Sequence, residues 1–173
     1  MHSVDLYLKR WDDDEIMDAV SVLRNMNSID LAITDAVIVD RMIKCGPTPR
    51  QLFCPEHIWE EYLSTIHASI HKFDNMRSVM SVVSSAPLYA PNAQSVGEIA
   101  HCILCIDPIE SPKFKYSFFN YVFASKYIEE EFLKYFRQQS ERQKQDFIKL
   151  IDGSAMCAVL RAHLSEDTMR HHE

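Results

Sequence analysis

Apolar positions recur three and four residues apart along most of the chain, the spacing of one buried helical face. Asp12 with Glu15 three residues on makes a capping box. Ile16, Ala19, Val20 and Leu23 then share a side, which predicts a first helix ending near Asn27. Ser28 stands where a second helix would be capped, bearing Ile29, Ile33, Ala36, Val37 and Met42 and stopped by Gly46 and Pro47. Thr48 and Pro49 open a short turn through Phe53, and Pro55 sits where a first helical position would be. Ile58, Trp59, Tyr62, Leu63, Ile66, Ile70 and Phe73 follow as the clearest amphipathic stripe in the chain. Asp74 starts a further helix using Met76, Val79, Met80 and Val83, and residues 87–94, with two prolines, read as a loop.

Ser95 with Glu98 is another capping box, opening a helix with Ile99, Cys102, Ile103 and Ile106 that ends over residues 107–112. Beyond it, residues 114–136 read FKYSFFNYVFASKYIEEEFLKYF and hold ten of the eighteen aromatic residues. Wound as a helix, the segment gathers Phe114, Phe118, Tyr121, Ile128, Phe132, Tyr135 and Phe136 on one side. Tyr116, Phe119, Phe123 and Tyr127 fall on the other. A helix apolar on opposite sides needs two partners, so it is either the central helix of the domain or its second side meets another protein. FKYSF and FNYVF also alternate as short strands do, but they abut with no turn sequence between them. A helix, bending near Ser125, is therefore the expectation. A further box, Ser140 with Gln143, launches Phe147, Ile148, Leu150 and Ile151. Gly153 interrupts before Met156, Val159, Leu160 and Leu164, and the tail from about residue 166 reads as frayed.

The sum is an all-α fold, a compact bundle of about eight or nine helices forming a single domain over residues 1–173. The alternative is a short α-solenoid-like stack of helix pairs, although no fixed period or repeat signature runs through the chain. Only three glycines, and prolines confined between Pro47 and Pro112, agree with helix. The length suffices to bury roughly 70% of the surface that the unfolded chain exposes.

Charge changes the picture in one respect. The net charge is −7, yet residues 1–40 carry nine acids against three bases, while residues 113–150 carry eight bases against five acids. An acidic chain without a Lys/Arg cluster lacks the footprint of phosphate binding, so direct nucleic-acid binding is disfavoured. The opposed charges suit docking of the chain's own halves or orientation of a partner. Five scattered cysteines, Cys45, Cys54, Cys102, Cys105 and Cys157, follow no secretory signal, and acids at residues 12–15 argue against a transit peptide. An intracellular, reducing compartment is expected. No apolar run approaches the roughly 18 residues of a membrane span.

Candidate chemistry is sparse. His67 and His71 on one predicted helix, with His101, Cys102 and Cys105 on another, have spacings that can present metal ligands side by side. Against that, Cys102 lies along the apolar face of Ile99, Ile103 and Ile106, where a thiol packs as a small hydrophobe. Glu98 and His101 form one Glu-x-x-His pair, whereas a di-iron bundle requires two. The runs at residues 12–15 and 129–131 suit solvated helix surfaces, since adjacent charges diverge around a helix. Phosphate-loop, nucleophile-elbow, His-Glu-x-x-His and dinucleotide motifs are missing, so no cofactor is expected. These features point first to a non-catalytic protein–protein interaction module, an adaptor or structural subunit acting through a protein partner or as a homo-oligomer. Tyr116, Phe119, Phe123 and Tyr127 are its interface candidates, rimmed by Lys115, Lys126 and Lys134. The alternatives are a metal- or cysteine-dependent helical enzyme and a helical-repeat component of a ribonucleoprotein.

Overall fold

The computed structural model describes residues 10–28, 32–71, 77–78, 103–109 and 118–170, with Phe118, Met156 and residues 167–170 described by backbone alone. The expected helix from Asp74, the loop at 87–94, the Ser95 capping box, His101, Cys102, Phe114, Lys115 and Tyr116 lie outside the described residues. Among those described, the chain is mostly helical with a small two-stranded antiparallel sheet, rather than an all-helical bundle.

α1, Asp13–Asn25, starts at the expected box: the Glu15 N–H donates to Asp12 and the Asp12 N–H donates back to Glu15, both at 2.9 Å. α2, Asp35–Cys45, begins later than the Ser28 reading had it, because Thr34 is the residue whose hydroxyl accepts from a first-turn N–H, that of Val37. Its buried positions are Ile38, Arg41 and Cys45. α3, Pro49–Leu52, is a single turn, and α4, Glu56–Ile70, follows Pro55.

The principal correction falls on the aromatic segment. β1, Leu104–Ile109, pairs antiparallel with β2, Phe118–Phe123, in a register that runs from Leu104 opposite Phe123 to Ile109 opposite Phe118. The helix expected through Ile106 and the helix expected through Phe123 are therefore both strands here. Alternation explains it: Phe119, Tyr121 and Phe123 are buried while Asn120 and Val122 between them are half-buried, so a period of two puts the aromatics on one face. Pro108, which lacks an N–H and would break a helix interior, is tolerated in a two-stranded sheet, where every strand has an open edge. Both expected sides are thus divided between two elements: Phe119, Tyr121 and Phe123 lie on the strand, and Tyr127, Ile128, Phe132, Tyr135 and Phe136 on the helix that follows it.

That helix, α5, is Lys126–Arg137, started by Ser125, whose hydroxyl accepts from the Ile128 N–H at 3.1 Å. α6, Glu141–Asp152, carries the expected Ser140–Gln143 box. A 3-10 turn, Ala155–Cys157, then leads into α7, Ala158–Arg170, which continues past the expected start of fraying.

Two apolar clusters result. The larger joins Ile66 and Ile70 of α4, Leu104 of β1, Phe119, Tyr121 and Phe123 of β2, and Ile128, Phe132 and Phe136 of α5. Phe147 and Ile151 of α6 complete it with Leu160 and Leu164 of α7. Phe132, Phe136 and Phe147 meet with ring centroids 5.7 Å apart, and each buried ring contributes roughly 1.5–3 kcal/mol. The smaller cluster joins Ile16, Val20, Ile33, Ile38, Cys45, Leu52 and Trp59, and Tyr62 of α4 packs against both.

One junction ties the clusters together. Ser125 donates to the Lys44 carbonyl at 2.7 Å, and Arg10 donates to the Ala124 carbonyl at 2.9 Å. Gly46 ends α2 against this same carbonyl, at φ 75° and ψ 178°.

Candidate functional site

The folded chain brings part of the sequence-derived set together at the end of α4. The His71 N–H donates to the His67 carbonyl at 2.9 Å, closing one more helical turn, so both side chains leave the same face. Their rings are parallel to within 9°, with centroids 6.1 Å apart. α5 supplies two tyrosines against them. The Tyr127 hydroxyl lies 2.7 Å from His67 Nε2, and the Tyr135 ring centroid lies 5.7 Å from that of His71.

Cys105 does not join them. Its thiol takes a hydrogen bond from Arg10 at 3.2 Å and donates to the Phe123 carbonyl at 3.6 Å. Among the described residues no three His, Cys, Asp or Glu side chains gather as metal ligands. Burial pushes the thiols of Cys54, Cys105 and Cys157 above the ordinary value of 9.0, an effect that Arg41 partly offsets at Cys54 and Arg10 at Cys105. That direction weighs against a thiolate nucleophile at these three positions.

The interface candidates are placed differently from one another. Phe119 and Phe123 are buried in the chain's own core, so neither offers an anchor to a partner. Tyr127 is half-buried against His67. Lys126 and Lys134 pair with Glu129 and Glu131 on α5.

Sequence reading missed three arrangements. Glu129 accepts from both Lys126 and His163, the latter at 2.9 Å, in the wall of a cavity of about 570 Å3 between α5 and α7. Its histidine partner is remote in sequence, so no local spacing announces the pair. Arg41 is 1% exposed and donates to the carbonyls of Leu52 and Cys54 and to Glu56 at 2.6–3.0 Å, with its guanidinium 5.1 Å from the Trp59 ring centre. A buried arginine looks like any surface cation in a hydropathy pattern.

The third arrangement is apolar surface on the N-terminal helices. Val22 of α1 and Met26 at its C-terminal cap are 56% and 66% exposed, and Val39 and Ile43 of α2 are 46% and 61% exposed. Each pair is spaced i,i+4 and shares a face, and on α2 that face lies opposite Ile38, Arg41 and Cys45. Arg24 links the two helices, bonding Asp35 and the Ile33 carbonyl. The signal was legible: residues 36–39 and 42–43 hold more apolar side chains than one face of α2 can bury.

Comparisons of the chain with protein-family models, with curated proteins and with solved structures returned no match.

Proposed function

We propose that this chain is a non-catalytic helical interaction module, and that it docks a protein partner through the exposed apolar pairs of α1 and α2. The observation that carries the reading is the pairing itself: Val22 with Met26 and Val39 with Ile43 are large, exposed and one turn apart, whereas isolated exposed apolar residues are commonplace. Acids frame them. Asp18 lies one turn before Val22, Asp35 and Asp40 flank Val39 in pairs with Arg24 and Lys44, and the first 40 residues carry a three-to-one excess of acids over bases. The partner that fits is a protein segment with aliphatic or aromatic anchors bordered by Lys or Arg, in which apolar burial supplies affinity and charge supplies orientation and on-rate.

The test is the native mass of the tagged chain purified from its own cells, beside a Val39→Lys, Ile43→Lys double variant. The wild type is expected to carry a stoichiometric partner. The variant should lose it while keeping its thermal midpoint, because both side chains already face solvent. A monomer of 20.1 kDa from both chains would contradict the reading.

A further inference from the structure

The exposed face of α2 presents the same chemistry that it asks of a partner, aliphatic anchors bordered by charges of both signs. We propose, resting on the docking role above, that the partner is a second copy of this chain, its α2 packed antiparallel on the first about a two-fold axis. Ala36, Val39 and Ile43 are all exposed and spaced three and then four residues apart, the seam spacing of two packed helices. Ala36 is small enough to let a neighbouring helix approach closely, while Val39 and Ile43 supply the anchors.

Charge decides which self-contact fits. Asp40 and Lys44 lie on one flank of the seam and pair along the helix at 2.8 Å, and Asp35 on the other flank pairs with Arg24 of α1. Each acid beside the seam is therefore matched by a cation, and a face balanced in this way does not repel its own image. In a two-fold contact, residue i of one copy meets residue j of the other and j meets i. With the helices antiparallel and the axis level with residues 41–42, Val39 of each copy meets Ile43 of the other. Asp40 of each copy then stands near Lys44 of the other, closing a ring of four alternating charges. A parallel contact would set Asp40 against Asp40 instead. Docking onto the basic half of a second copy fits less well, because among the described residues no exposed large apolar side chain lies on α5, α6 or α7.

The test is sedimentation equilibrium of the full chain, produced in an unrelated host, across a concentration series. A reversible dimer of twice 20.1 kDa is expected, and Val39→Lys, Ile43→Lys should stay monomeric. Asp40→Lys and Lys44→Asp should each raise the dissociation constant about tenfold, since each gives all four charges of the ring one sign, and an equimolar mixture of the two variants should recover the wild-type affinity. Loss of the pair within the helix is common to both variants and is not relieved by mixing, so recovery reports the contact between copies. The proposal is overturned if the wild type stays at 20.1 kDa at every concentration, if the mixture associates no better than its components, or if Val39→Lys, Ile43→Lys dimerises as the wild type does. The docking role is judged apart: a chain that is monomeric alone but carries a different protein from its own cells overturns the second copy and keeps the α2 site.

Discussion

Replacing Gly46 by alanine should loosen the junction between the two apolar clusters. Gly46 has φ 75° and ψ 178°, a backbone region that is essentially glycine's own, and forcing another residue into it costs about 1–3 kcal/mol. A Cβ there would also stand 2.2 Å from the Ala124 carbonyl oxygen. That oxygen is backbone at the start of α5 and already accepts from Arg10, so relief requires moving the junction itself. Overpacking of this kind adds about 1–3 kcal/mol, for a total of about 2–6 kcal/mol. Against a typical stability of about 5–15 kcal/mol, that is a large fraction of the whole. Urea unfolding monitored by the fluorescence of Trp11 and Trp59 would measure it. Gly153→Ala is the control, since no atom lies within 4 Å of a Cβ built there and its φ is −76°. It should be neutral or stabilise by about 0.4–1 kcal/mol. A Gly46→Ala loss under about 1 kcal/mol would refute the close approach on which the junction depends.

Other outcomes follow from the same contacts. Arg41→Ala should cost about 3–5 kcal/mol in urea unfolding, because the Leu52 and Cys54 carbonyls lose their donor at roughly 1–3 kcal/mol each and the Trp59 contact goes with them. Glu56→Gln should cost less than Arg41→Ala, since the glutamine side-chain oxygen can still accept from the buried guanidinium while Leu52 and Cys54 keep their donor. Raised thiol pKa values mean that the fold favours the protonated form, so this stability is fully present below pH 9.0 and is lost as pH rises above it. Thermal midpoints should fall in that window, and Cys105→Ala should reduce the slope. Iodoacetamide at pH 8 should modify Cys105 more slowly in the native chain than in urea.

The helical boundaries were legible where a capping side chain announced them, as at Asp12 and Ser140, because the cap is a local hydrogen bond. The α2 start was misplaced because Ser28 and Thr34 are both competent caps and only the fold selects between them. The strand pair was missed for a different reason. Its partners, residues 104–109 and 118–123, are separated by eight residues with no tight-turn signature, and Ile106 fits a helical spacing with Ile103 as well as an extended one with Leu104. Cross-strand pairing is a tertiary preference that one segment's periodicity does not encode. Of the site residues, His67 and His71 could be placed together from their spacing, whereas Tyr127 beside His67 and Glu129 beside His163 depend on how α4, α5 and α7 pack. The exposed apolar pairs were present in the sequence as surplus hydrophobicity on α2, overshadowed by an aromatic segment whose strand residues Phe119, Tyr121 and Phe123 turn inward.

The most direct test of the interaction role is a photoreactive amino acid placed at Ile43, compared with one at Arg142, an exposed polar position on α6, in the cells that make the protein. A discrete adduct from Ile43, absent from Arg142 and suppressed when Val39 is changed to Lys, is the predicted result. An adduct of twice the chain mass would identify that partner as a second copy. No adduct at Ile43, or equal adducts at both positions, would contradict docking through α2.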